Sequence, residues 1–202
     1  MKILSYTIKK GGKSMKIKSD DIKLKEYEQY FSSLPFICTE KIESEKTVFV
    51  MIDIINGFIR EGVLHDKEIE NIIIPVKAFL EYCKRKNIKS IAFSDCHSED
   101  SCEFATFPLH CIKGNSECKI VDELTQIGGF EIIEKNSVNG FHASGFRKFL
   151  ENNMDKSCYI VCGDCTDICV LNFCLSLKTF FNEINKSCLL YTSDAADDLI
   201  GV

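Results

Sequence analysis

Residues 161–170, VCGDCTDICV, put Cys169 where a thiol could act as a nucleophile. A glycine turn precedes it and a helical run follows, so Cys169 falls near a helix N-terminus. Positive partial charge gathers there and favours the thiolate, the reactive form of cysteine. Thr166 and Asp167 are the candidate N-caps of that helix. Most buried cysteines are inert, so a nucleophile needs partners. Asp53, at the end of the apolar run 47–53, could take and return protons, and Lys135 could hold both partners charged. A thiol, a proton carrier and an orienting charge make an activated nucleophile. A plain ion pair between neighbouring strand ends is the competing reading of Asp53 and Lys135. The spacing Cys162, Cys165, Cys169, Cys174 also suggests a metal or iron–sulfur cluster. Those four residues are expected in a strand, a turn and a helix, and need not face a common centre.

A second constellation runs over residues 95–110, DCHSEDSCEFATFPLH. His97 and His110 are two of only four histidines in the chain, with carboxylates between them. Imidazole together with carboxylate suits Zn, Mn or Fe rather than Mg. Asp95 and His97 could converge from one loop; His110 requires that loop to fold back. A metal site and a solvated acidic loop with incidental histidines both fit the spacing.

The elements that must position these groups alternate. Residues 47–53 read as a strand buried on both faces, because the apolar run is continuous. Residues 66–86 show helical periodicity, with Pro75 marking a kink or a later start. Strands are expected at 90–94, 130–134 and 158–162, and helices at 119–127, 143–152 and 166–185. This alternation predicts a mainly parallel sheet with helices on both faces, a three-layer α/β/α, Rossmann-like arrangement. Ligands of such sheets bind beyond the carboxyl ends of the strands. Asp53, Asp95, Lys135 and the turn 163–169 all lie at those ends.

The bulk numbers agree. At 202 residues the chain is long enough for one domain with a full core. A net charge of −5 with no basic block argues against nucleic-acid binding. No apolar run is long enough to span a membrane. No signal peptide is read in the N-terminal residues, so a cytoplasmic location is expected, with most of the twelve cysteines as reduced thiols. Residues 1–45 form a Lys/Glu-rich extension, partly helical or disordered, with a short amphipathic helix possible at 23–31 and an alternative start at Met15.

Over residues 46–187 the chain resembles the isochorismatase-like cysteine hydrolases, and within them the nicotinamidases. Three blocks carry the resemblance: DIINGF from Asp53, KNSVNGF from Lys135 and GDCTDICV from Gly163. The resemblance implies that Cys169 attacks a carboxamide carbon, with Asp53 moving protons and Lys135 steadying the charged pair. It implies a cis peptide between Asp164 and Cys165, which would aim the Cys165 and Cys169 N–H groups at an oxyanion. It also implies a divalent metal, zinc first and Mn or Fe otherwise, on Asp95, His97, Glu103 and His110. Phe58, Phe107 and Phe141 fall where pocket aromatics would clasp a flat ring, and nicotinamide is the expected substrate. A homo-oligomer is compatible with the resemblance. The alternatives are a metal-free amidase acting on another small amide or carbamoyl compound, and a non-enzymatic binding protein. Two positions depart from the pattern: Gly57 stands where an acid is common, and Asn115 replaces a usual threonine.

Residues 188–202 read differently. Residues 188–197, CLLYTSDAAD, resemble the translation of a sequencing-library adapter, and Cys188–Thr192 could instead be a genuine strand. On the adapter reading, the family's last strand and helix are expected to be missing.

Overall fold

The computed structural model describes residues 6–10, 13–17 and 39–192. The chain divides into two compact units, Met1–Cys38 and Thr39–Val202. In the first, β1 (Tyr6–Lys10) pairs antiparallel with β2 (Lys13–Ile17). The helix expected at 23–31 lies outside the described residues. In the second, residues 39–46 already pack with the domain: the Tyr82 hydroxyl donates to the Thr39 carbonyl at 2.8 Å.

Five parallel strands build the second unit, in the order β5-β4-β3-β6-β7. They are β3 (Thr47–Ile52), β4 (Lys89–Asp95), β5 (Glu131–Lys135), β6 (Cys158–Gly163) and β7 (Leu189–Thr192). Every residue of β3 is buried, as a central strand covered on both faces requires. Alternate side chains feed two cores. Val48, Val50 and Ile52 face one core with α4 (Ser144–Glu151) and α5 (Leu171–Glu183). There Phe93 packs 5.5 Å from Phe146 and 5.1 Å from Phe173. On the opposite face Phe49 meets Phe79 of α2 (Ile73–Arg85), edge-on at 4.8 Å. The three-layer α/β/α arrangement is therefore present, as expected. No helix among the described residues is long and apolar enough to cross a membrane.

Several element boundaries differ from expectation for local reasons. The helix predicted over 66–86 starts as a 3₁₀ segment, Lys67–Ile72, capped by the Asp66 carboxylate accepting the Glu68 N–H at 2.9 Å. Pro75 then sits in the first turn of α2, where its missing N–H costs nothing. The helix predicted at 119–127 shrinks to α3 (Asp122–Thr125), because Lys119 and Val121 are drawn into backbone bonds with Asn56 and Ile54. A short helix at α1 (Asn56–Ile59) was not predicted. The fifth strand slot is not left empty: Leu189–Thr192 pairs in parallel with Cys158–Val161. Ladder bonds are made by the backbone, and Leu-Leu-Tyr-Thr suits a pleated edge whatever its origin. The helix expected to be missing after it falls outside the described residues.

Candidate active site

Strand ends deliver the charged groups. Asp53, just past β3, is fully buried and holds φ at 56°, with its N–H donating to the Phe93 carbonyl at 3.1 Å. Left-handed backbone is unusual outside glycine, is better tolerated by aspartate, and clusters at functional sites. Asp95 closes β4 and Lys135 closes β5, and the two are register partners. Lys135 Nζ lies 2.9 Å from Asp53 Oδ2, 2.8 Å from Asp95 Oδ1 and 3.9 Å from Cys169 Sγ. One buried ammonium thus serves two buried carboxylates and the thiol. Burial pushes the Asp53 carboxyl up to about 7, against the pull of the Lys135 charge. Burial also works against ionised Asp95, but bonds from His110 and His97 and the Lys135 charge outweigh it and hold that carboxyl below its ordinary range. Burial opposes the Lys135 charge, and the two aspartates more than restore it, raising its pKa.

Cys169 arrives on a π-helical turn, Thr166–Val170, that leads directly into α5. Such turns recur at functional sites because they free backbone groups. Here the Ile168 and Val170 N–H groups both donate to the Cys165 carbonyl at 3.2 Å. The turn begins at Gly163, with φ 146°, where an added Cβ would lie 2.0 Å from the Ile52 carbonyl oxygen. Only glycine lets β6 pass so close to the end of β3.

Three expectations for this segment are corrected. The Asp164–Cys165 peptide is trans, since the described backbone has no cis peptide bond; the ordinary peptide geometry already closes the turn, with the Asp164 N–H on the Ile52 carbonyl at 3.0 Å. The N-cap residue of the turn is Cys165 rather than Thr166 or Asp167, and its own side chain makes no capping bond. The Cys169 thiol is not lowered but pushed up, first by burial and then by the neighbouring Asp53 charge, with Lys135 opposing. A helix end cannot offset the desolvation of a thiolate beside a carboxylate. Burial and the Asp53 charge thus both oppose ionisation of the Cys169 thiol.

The loop after β4 does fold back. His97 donates its N–H to the Cys111 carbonyl and accepts the Lys113 N–H, both at 2.8 Å, in a short parallel bridge of His97 with Ile112. That bridge brings His110 to Asp95. Asp95 Oδ2 lies 2.9 Å from His97 Nε2 and 3.2 Å from His110 Nε2. One ligand atom from each of Asp95, His97 and His110 lies within 4.8 Å of the others, the only such group among the described residues. The other ring nitrogens are engaged: His97 Nδ1 faces Asn136 Oδ1 at 3.1 Å, and His110 Nδ1 faces the Pro108 carbonyl at 2.7 Å. Those oxygens only accept, so each Nδ1 donates, and each Nε2 can meet the Asp95 carboxylate only through a proton or a shared cation. Lone pairs against a carboxylate repel unless a proton or a cation lies between them. Burial opposes protonating His110, yet its bonds to Asp95 and Pro108 raise its pKa. A divalent ion would resolve the same clash with both rings neutral, and two imidazoles with a carboxylate fit Zn, Mn or Fe.

Glu103 stands beside this triad rather than in it. Its Oε1 accepts the Val138 N–H at 2.7 Å. Its Oε2 is buried 3.8 Å from His97 Nε2, without a hydrogen-bond partner among the described residues. An orphaned carboxylate oxygen next to the His97 imidazole again fits a cation. The cysteine-cluster reading does not survive. Cys162 is buried within β6 and Cys174 within the α5 core, and all eleven described cysteines are free.

Comparison with protein families matches residues 47–179 to the Isochorismatase domain. The chain belongs to the isochorismatase family. It is 31% identical over 140 residues to Nicotinamidase 1 of Arabidopsis thaliana, covering 61% of this chain and 57% of that protein. The chain thus spans little more than half the length of that relative. Among solved structures, N-carbamoylsarcosine amidase of Thermoplasma acidophilum superposes with a TM-score of 0.62 at 20% identity, covering 77% of this chain and 99% of that one. Pyrazinamidase of Pyrococcus horikoshii, solved in complex with zinc, superposes with a TM-score of 0.59 at 24% identity, covering 66% and 79%.

In this isochorismatase-family chain the aromatics divide. The Phe58 and Phe107 rings lie 6.0 and 6.2 Å from the His110 ring. The partly buried Phe141 ring packs against Phe146 and Phe180, each at 5.7 Å, at the edge of the helix-side core. Phe104, not singled out from the sequence, contacts both imidazoles, at 5.3 Å from His97 and 5.7 Å from His110. Asn136 was also missed, although its place next to Lys135 puts it at a functional strand end. The departure at position 57 has a steric basis. A Cβ on Gly57 would lie 2.7 Å from Cys111 Sγ and 3.0 Å from Glu117 Cβ, so no acid fits there.

Proposed function

We propose that this chain is a metal-assisted cysteine amidohydrolase that converts nicotinamide and water to nicotinic acid and ammonia. The observation that carries the reading is the shared Lys135–Asp95 contact. The ammonium that pairs with Asp53 beside the thiol also pairs with the carboxylate of the His97/His110 group. Nucleophile and metal-type donors therefore form one continuous site. Two carboxylates face one ammonium there, and that negative excess favours a cation at the histidines.

Cys169 gives its proton to Asp53 as sulfur bonds to the carboxamide carbon. The carbonyl electron pair moves to oxygen, where the Cys165 and Cys169 N–H groups are the candidate donors. Asp53 returns the proton to nitrogen, the C–N bond breaks, and ammonia leaves a thioester on Cys169. Asp53 then takes a proton from water as its oxygen attacks the thioester, and collapse returns that proton to sulfur. Lys135 keeps Asp53 in place and steadies negative charge as it passes between oxygen and sulfur. A divalent ion held by Asp95, His97 and His110, with Glu103 in reserve, would supply a Lewis-acid anchor for a ring nitrogen. Phe58, Phe104 and Phe107, whose rings neighbour His110, would flank a flat ring there.

Ammonia release from nicotinamide, with added zinc and then with excess chelator, tests this reading. Release that the chelator suppresses is expected. A protein that binds zinc yet releases no ammonia from nicotinamide would defeat it.

A pH dependence follows from Asp53. Its carboxyl must be ionised to accept the thiol proton, and its pKa lies at about 7. kcat/KM should therefore rise with pH through about 7, and fall about tenfold per unit well below it. A profile that is flat across that range would exclude Asp53 as the base.

A further inference from the structure

A carboxylate outside the catalytic group is built into the metal loop. Glu117 Oε2 accepts the Cys111 N–H at 2.8 Å. Cys111 follows His110 directly, is fully buried, and holds φ at 47°, a left-handed conformation that L side chains rarely adopt. Its carbonyl accepts the His97 N–H at 2.8 Å and the Cys118 thiol at 3.1 Å. Cys111 therefore joins His110 through the chain and the main chain of His97 through a hydrogen bond. Turning its backbone would turn both histidines. A carboxylate on that N–H is a charge-assisted bond, about twice as strong as a neutral one.

Glu117 is itself anchored. It lies in the 3₁₀ turn Ser116–Cys118, which α1 clasps through Asn56: its side chain donates to the Ser116 carbonyl at 3.3 Å and its N–H to the Lys119 carbonyl at 2.9 Å. The missing side chain at Gly57 leaves the space that Cys111 Sγ and Glu117 Cβ fill. The segment after Asp53 and the metal loop thus meet at Glu117.

We propose that Glu117 is a positioning residue of the metal site, holding the left-handed Cys111 turn so that His97 and His110 face Asp95 together. The inference rests on the metal reading above. It concerns a residue that touches neither ion nor substrate.

The test is zinc affinity of the full chain, stripped of metal and titrated against a competing chromophoric chelator. Glu117→Ala should weaken zinc binding about 10- to 100-fold, the usual effect of removing a support behind a metal ligand. Glu117→Gln keeps an acceptor for the Cys111 N–H and should stay within about threefold of the parent. Asp95→Ala is the control and should lose the site. If Asp95→Ala binds zinc like the parent, the metal reading fails. If Asp95→Ala loses zinc while Glu117→Ala keeps it, the metal reading stands and the Glu117 inference is overturned. Equal losses in Gln and Ala variants would also overturn it. Should Glu117→Ala not fold, Glu117→Asp decides: it draws the carboxylate back from Cys111 and should bind zinc several-fold more weakly, and parental affinity in that variant refutes the role.

Discussion

Replacing Cys169 by alanine is expected to reduce ammonia release from nicotinamide by more than about 10⁴-fold, while leaving zinc affinity and melting temperature near those of the parent. The size follows from loss of the covalent route: removing a nucleophile leaves only binding and oxyanion stabilisation, and such losses run from about 10⁴ to 10⁶. The specificity follows from geometry. Lys135 keeps both short carboxylate contacts, at 2.9 and 2.8 Å, and loses only a 3.9 Å contact to sulfur. Asp53 also loses the neighbour whose proton it is placed to accept. The charged framework therefore survives, and the defect should appear in turnover rather than in folding. A single-turnover experiment sharpens the test, because the parent should accumulate label from ring-labelled nicotinamide as a thioester and the variant should not. Substantial steady-state activity in Cys169→Ala would remove the thioester mechanism altogether.

Much of this site could be read along the chain because strand ends are local signals. Asp53, Asp95 and Lys135 each stand at the carboxyl end of a strand, and a parallel sheet brings such ends to one edge. His97 lies two residues past Asp95, so one loop nearly fixes that pair. What could not be read depends on partners distant in sequence. The direction of the Cys169 shift comes from burial and from Asp53, more than a hundred positions away, and not from the helix start beside it. Phe141 lies in a block with catalytic spacing, yet α4 and α5 supply ring neighbours, Phe146 and Phe180, that set it partly buried against the core. Asn136 and Glu117 act through single hydrogen bonds to His97 and Cys111, and nothing in composition or periodicity marks such acceptors. The π turn that carries Cys169 closes on the Cys165 carbonyl, and no residue type codes for it.

Lys135→Met should be the most destabilising single change in the site, with a stability loss of about 3–5 kcal/mol near neutral pH, the usual result of removing one member of a buried ion pair. Methionine keeps an unbranched apolar stem only one atom shorter than that of lysine, so the loss reports charge more than volume. Lys135 is 2% exposed and lies between Asp53 and Asp95, which no other cation contacts among the described residues apart from the imidazoles on Asp95. Without it two buried carboxylates share the space, and the Asp53 pKa, already about 7, must rise further. The sign with pH is then determined. A carboxyl whose folded pKa lies above its unfolded value destabilises the fold fully above the folded pKa, and the penalty disappears as pH falls and the group is protonated. The gap in melting temperature between variant and parent should therefore be widest above pH of about 7 and shrink on acidification. Zinc should narrow it as well, because an ion at His97 and His110 offsets the Asp95 charge that lysine no longer balances. Thermal melts across pH, with and without zinc, measure both responses. A gap that ignores pH and zinc would mean that Lys135 acts by packing alone, and the single charge-linked site would dissolve into two unrelated ones.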